Sequence, residues 1–343
     1  MEFYAGANTR YGFVSIFDEC FKDIARIFIL KGSSGCGKST FMRRVAKKAY
    51  ESGLTVDIIR CSADPDSLDG VIVHELGVAV ADGTSPHVMD VKYPCVRESI
   101  INLGEFWDER SLLSKREEII SLADKKSEHY KNAYRCLAAL GSAEEVRKGL
   151  ITEAVVKEKL DETVFSVADK AFGATGGEIK LFSSAFTANG VRTLPTFGDA
   201  DILYRVSGYA SFYLIASLYG LARERGTEMI ASLSTLDPSV PDSVYFPSGK
   251  VLVTLLESPP ISSAREEKHI SCSKFTDSDL INARRVRLRG LDRLINELSS
   301  EAKSELAFAR ARHNELEGIY IPAMDFESLD EYTNAFIKRL FGE

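Results

Sequence analysis

Gly32-Ser-Ser-Gly-Cys-Gly-Lys-Ser39 sets three glycines, a lysine and a serine at the spacing G-x-x-x-x-G-K-[ST]. Glycines let the backbone turn tightly enough for successive N–H groups to converge on an anion. A helix starting where the loop ends adds the partial positive charge of its N-terminus. On this reading the backbone of Gly32, Ser33, Ser34, Gly35, Cys36 and Gly37 cradles phosphates and Lys38 bridges the β- and γ-phosphates. The Ser39 hydroxyl ligates Mg²⁺, and Thr40 bonds near the α-phosphate. At average residue frequencies the pattern arises by chance in a chain of this length at about the one per cent level, so it outweighs every other motif present. Cys36 lies beside a helix terminus, which favours a thiolate; it reads as a tolerated small residue whose oxidation would block binding.

Asp82 ends the apolar run Val78-Ala-Val-Ala-Asp82. A carboxylate there is expected to hold Mg²⁺, through a bound water or through Ser39. No glutamate follows it, so no catalytic base is evident. The run Ser62-Ala-Asp-Pro-Asp-Ser-Leu-Asp-Gly70 reads as a loop at the carboxyl edge of a sheet, where ligands bind. Of its acids, Asp66 is the functional candidate, and Asp64 and Asp69 read as turn chemistry. His74, Glu75 and His87 read as strand-end residues, with water positioning or contact with an acceptor hydroxyl as the functional role open to His87. Trp107 reads as packing.

These residues need elements to hold them. Arg26–Leu30 reads as a strand, and Ser39–Glu51 as a helix with Phe41, Met42, Val45, Ala46 and Ala49 on one face, stopped by Gly53. Thr55–Cys61 and Gly77–Asp82 read as further strands, which predicts a parallel sheet with crossover helices. From 111 to 172 the chain turns charged and helical, with a break expected at Gly141. A helical hairpin follows, closed by the linker Gly173-Ala-Thr-Gly-Gly177.

The second half repeats the first. At an offset of 173, Asp64-Pro65, Asp69, Val71, Val78, Val80 and Ser85-Pro86 meet Asp237-Pro238, Asp242, Val244, Val251, Val253 and Ser258-Pro259. Leu203–Gly208 matches Ile27–Gly32 at 176, because three residues are missing inside the second loop, Gly208-Tyr-Ala-Ser-Phe-Tyr213. The lysine is gone there, aromatics fill the loop, Asp82 has become Leu255 and Asp66 has become Ser239. The expected domains are therefore 1–175, nucleotide-binding with its hairpin at about 111–172, and 176–343, a degenerate copy with C-terminal helices.

With 343 residues the chain suits two domains. A net charge of −7 argues against a general grip on nucleic acid. No apolar run is long enough for a bilayer, and the N-terminus carries no secretory pattern, so a membrane is not expected as a partner. Six scattered cysteines without a CxxC pair read as reduced thiols in the cytoplasm.

The chain resembles a family of bacterial tandem P-loop ATPase-like proteins of poorly defined function. The resemblance rests on Gly32–Thr40, Cys61–Gly70, Asp82-Gly-Thr-Ser-Pro-His87 and Ile101-Asn-Leu-Gly-Glu-Phe-Trp-Asp108. It implies an α/β P-loop NTPase fold, duplicated in tandem, with mostly parallel sheets and helical hairpin insertions. It also implies binding of ATP, with Mg²⁺ from the motif chemistry, and hydrolysis. Members carry a phosphate loop in both halves, and here the second is eroded. Three readings of function follow: an ATPase-type switch, a small-molecule or nucleotide kinase, and a nucleotide-binding module without turnover. Arg43, Arg44, Arg110 and Arg116 are candidates for a kinase lid. The charged helices suit a protein partner or self-association. No LSGGQ-like segment or NKxD is present to suggest an ABC transporter ATPase or a small GTPase.

Overall fold

The computed structural model describes residues 1–64, 66–255 and 264–342. The correspondence of Ser85-Pro86 with Ser258-Pro259 lies outside them. The chain opens with β1 (Glu2–Tyr4), the paired β2 (Gly6–Thr9) and β3 (Gly12–Ser15), and the single turn α1 (Phe17–Cys20). β4 (Arg26–Lys31) leads through the glycine-rich loop into α2 (Lys38–Glu51). β5 (Val56–Arg60), β6 (Leu68–Val73), β7 (Val78–Asp82) and β8 (Glu98–Asn102) follow, then α3 (Glu109–Ser114), α4 (Arg116–Thr152) and α5 (Lys157–Ala171).

The second run begins with β9 (Glu178–Leu181), the paired β10 (Ser184–Thr187) and β11 (Gly190–Thr193), and β12 (Ile202–Ser207). It continues with α6 (Ser211–Glu224), β13 (Met229–Leu233), β14 (Pro241–Phe246), β15 (Val251–Thr254) and β16 (Glu266–Ser271). It closes with α7 (Ser278–Ala283), α8 (Arg285–Tyr320) and α9 (Phe326–Phe341).

Two six-stranded sheets result, ordered β1-β5-β6-β7-β4-β8 and β9-β13-β14-β15-β12-β16. They match strand for strand. In each, the third strand is antiparallel to both neighbours and every other pair is parallel. Register shifts fall between Ile59 and Arg60 and between Ser232 and Leu233, again 173 apart. The hydroxyls of Thr9 and Thr187 both donate at 2.8 Å to the carbonyl three residues on.

The α/β class and the mostly parallel pairing are as expected; the one antiparallel strand in each sheet, without a crossover helix on either side, is not. Residues 61–67 and 74–77 are too few for a crossover helix, so β5, β6 and β7 run as successive antiparallel neighbours. Asp69 and Gly70, expected in a loop, therefore lie in β6.

Two compact units hold these sheets, and they are not the halves 1–175 and 176–343. One comprises Met1–Gly6, Ser15–Ala133 and Ser304–Glu343; the other comprises Ala7–Val14 and Tyr134–Lys303. Both long helices, α4 and α8, thus change unit part-way along. In the first unit α9 closes the core: Phe336 packs at 4.9 Å from Phe28 and 5.0 Å from Phe41, beside Met42, Val45 and Leu329. Burying one such phenylalanine contributes about 2–3 kcal/mol. In the second unit Leu160, Val164, Val167 and Ala168 of α5 join Leu214, Ile215 and Leu218 of α6 in one core.

Two helical expectations are corrected. α4 passes through Gly141 unbroken. A Cβ there would lie 2.5 Å from Arg10 Nε, so the glycine makes room for the Arg10 guanidinium, which pairs with Glu145 at 2.6 Å. The hairpin's second helix, α5, packs on α6, and Gly173–Gly177 joins α5 to β9 inside the second unit rather than linking the two units. Among the described residues no helix is long and apolar enough to cross a membrane.

Candidate functional site

β4 ends at Lys31 and α2 begins at Lys38, so the glycine-rich segment is the corner between an interior strand and a helix. Gly35 and Gly37 hold φ of +72° and +85°, a left-handed backbone that any side chain would strain. Gly37 is the residue before the helix, and its carbonyl accepts the first helical bond from Phe41 N at 2.9 Å. The amides that follow it at the start of α2 have no intrahelical acceptor. They open onto a cavity of about 380 Å³ lined by Ser33 to Thr40, in the size range of small-ligand sites.

Lys38 curls back over the loop, donating to the carbonyls of Gly32 at 2.8 Å and Ser33 at 3.0 Å. Its amine lies 3.6 Å from Asp82 Oδ2. Asp82 Oδ1 accepts from Thr84 N at 2.9 Å and Thr84 Oγ1 at 2.6 Å. Burial raises the Asp82 pKa above the ordinary carboxylate value, against the pull of Lys38 and Thr84. Ser39 Oγ accepts from Leu68 N at 3.0 Å, which leaves its proton and a lone pair for another partner. Ser39 and Asp82 both line the cavity and carry hard oxygen donors, the kind that Mg²⁺ takes.

The antiparallel turn into β6 brings a further carboxylate to the same edge. Asp69 lines the cavity and is almost fully buried, and its Oδ2 meets His87 Nε2 at 2.9 Å. His87 stacks on Phe17 with ring centroids 4.3 Å apart. His87 therefore stands behind Asp69 and does not itself line the cavity. Asp66 is exposed and also lies off the cavity wall; its carbonyl accepts from Arg43, which does line it. The acids of the 62–70 run that reach the cavity are Asp64 and Asp69, the pair read from the sequence as turn chemistry. Cys36 is buried, and burial raises its thiol pKa more than Lys38 lowers it, so the expected thiolate is not favoured.

The chain matches no protein-family model, no curated protein and no solved structure. The geometry of the corner thus carries the functional reading.

The remaining wall comes from residues that motif reading missed. Tyr130 of α4 and Arg310, His313, Asn314 and Glu317 of α8 line the cavity, as do Ile321 and Phe326 after α8. His313 Nδ1 lies 3.2 Å from Ser34 Oγ, and Arg310 Nη2 lies 2.8 Å from Asp64 Oδ1. Glu317 is held below the usual carboxylate range, chiefly by its hydrogen bond with His313. A signal was present: the spacing 310, 313, 314, 317 is one helical face, and it is polar beside the apolar stripe Ala302, Leu306, Ala309, Leu316. Of the arginines singled out for a lid, Arg110 and Arg116 are exposed and off the cavity. Arg44 pairs with Asp330 of α9 at 2.6 Å.

Proposed function

We propose that the first unit is a P-loop nucleotide-binding domain that holds ATP with Mg²⁺ on Gly32–Thr40 and hydrolyses it slowly as a switch. On this reading the second unit is a tandem copy with an eroded loop. The observation that carries the proposal is Lys38, at the first turn of α2, bonded to two loop carbonyls and 3.6 Å from Asp82, both lining the cavity. The amide cradle and helix terminus bind the phosphates, and Lys38 leaves its carbonyl acceptors to neutralise them. Ser39 and Asp82 would hold the Mg²⁺, which would supply charge neutralisation to the bound phosphates. Asp69, steadied by His87, is the carboxylate placed to orient an attacking water. Adenine as the base follows from the family resemblance alone.

Purified chain incubated with ATP and Mg²⁺, with and without a metabolite extract, tests this. Free phosphate and ADP in equal amounts support the switch. Phosphate appearing on a metabolite supports a kinase, and binding without either product supports a module without turnover. Unchanged nucleotide affinity in Lys38→Ala would remove the site altogether.

A further inference from the structure

We propose that Arg310 of α8 recognises the terminal phosphate of the bound nucleotide, and that Asp64 is the partner it leaves to do so; this rests on the nucleotide reading of Gly32–Thr40. Arg310, His313, Asn314 and Glu317 present one polar face of α8 to the cavity. Position along the loop fixes which end of the ligand that face meets. His313 bonds Ser34, and a Cβ on Gly35 would lie 2.7 Å from Ile321, so the end of α8 lies against the first half of the loop. Asp64, which holds Arg310, also accepts from Ser67 Oγ at 2.9 Å, and the next amide, that of Leu68, is bonded to Ser39. Arg310 is thus joined through one turn to Ser39, the side chain that would hold the metal.

The ion pair suits an exchange. Both side chains are 34% exposed, so their pairing is weak. The Asp64 contact uses Nη2, and a guanidinium offers five donors in a fork that matches phosphate oxygens. The remaining cavity wall is rich in acid (Asp64, Asp69, Asp82, Glu317), so a triphosphate needs cations beyond Lys38 and Arg43. α8 also runs from the second unit, residues 285–303, into the first, residues 304–320. A contact made to the triphosphate and absent with the diphosphate would make this helix the element that senses turnover.

The test is equilibrium binding of ATPγS and of ADP, each with Mg²⁺, to wild type, Arg310→Ala, Arg310→Gln, Arg312→Ala and Lys38→Ala. Arg312 pairs with Glu315 on its own helix and does not line the cavity. Both Arg310 variants are expected to weaken ATPγS by at least about tenfold and to leave ADP within about twofold. Lys38→Ala should weaken both ligands, and Arg312→Ala neither. Equal losses for the two ligands, or none, in either folded Arg310 variant overturn the assignment to the terminal phosphate. If Lys38→Ala also binds normally, the nucleotide reading itself fails, whatever Arg310 does. Circular dichroism melting checks that each variant is folded, and Arg310→Gln, which keeps the side-chain length, decides if Arg310→Ala is not.

Discussion

After β4 the chain turns through Gly32–Gly37 and enters α2 at Lys38; after β12 it turns through Gly208–Ala210 and enters α6 at Ser211. Sheet order, strand direction and even the register shift agree around these two corners. Their surfaces do not. The first is lined by backbone and small hydroxyls and opens on a cavity. At the second, Tyr209 donates to Asp292 Oδ2 at 2.6 Å, the Tyr213 hydroxyl lies 2.6 Å from Thr152 Oγ1, and Phe212 and Tyr213 pack with ring centroids 4.1 Å apart. The position of Asp82 is Leu255, which packs against the core. Asp69 and Asp242 part in the same way: Asp69 has a buried histidine, whereas Asp242 has the Ser234 hydroxyl and the Thr235 backbone. The scaffold is therefore shared by the two corners, and what differs between them is a few residues of one loop and the strand ends beside it.

The largest expected effect breaks the contrast at its strongest point. Lys38→Ala should lower ATP affinity by at least about 100-fold, near 3 kcal/mol, because it removes a cation from desolvated phosphate. Calorimetric titration of wild type should give one nucleotide per chain; two, with one surviving in Lys38→Ala, would mean that the tyrosine-filled corner binds as well. Next, Asp82→Asn should lower phosphate release by about 100-fold and flatten its Mg²⁺ dependence, whereas Leu255→Ala should leave turnover unchanged. Equal losses from both would mean that the second corner takes part in turnover.

The first corner was legible in the sequence because local rules govern it. The strand Arg26–Leu30, the helix face Phe41, Met42, Val45 and Ala46, and Gly53 after the helix all stand as read. The repeat was legible too, since Asp64, Asp69 and the β7 valines recur at one offset. β6 was missed because Leu68-Asp-Gly-Val-Ile-Val73 begins with a turn-forming pair, and only the pairing of Gly70 with Ile59 and Ala81 makes it a strand. Gly141 was misread because its use lies 131 positions away, where Arg10 needs the space. The α8 wall was missed for the same reason. Arg310 is adjacent to Asp64 in space and 246 positions from it in the chain, so no motif window contains both.

A smaller effect sharpens the comparison at Asp69 and Asp242. Burial raises Asp242 to about 6, although one edge of the residue still meets solvent. Its folded pKa is above the unfolded value near 3.9, so folding favours the neutral acid. The associated stability is fully present below about pH 4 and is lost as pH rises to about 6. Asp242→Asn should therefore flatten that limb and gain about 1–3 kcal/mol at pH 7. Urea unfolding at pH 4, 5, 6 and 7 measures it. A parallel pH dependence in wild type and variant would mean that Asp242 ionises normally.

The smallest effect asks whether the aromatic filling of the second corner is structural. Tyr209→Phe removes the hydroxyl that donates to Asp292. Arg147 also holds that carboxylate, at 3.0 Å, so the carboxylate is not left without a partner. The cost should then be that of one charge-assisted hydrogen bond with its acceptor still satisfied, about 1 kcal/mol, and ATP affinity should not change. Thermal unfolding followed by circular dichroism gives the first quantity and titration with ATP the second. A change in affinity with little change in stability would reverse the assignment, because Tyr209 would then belong to a working site rather than to the packing that replaced one.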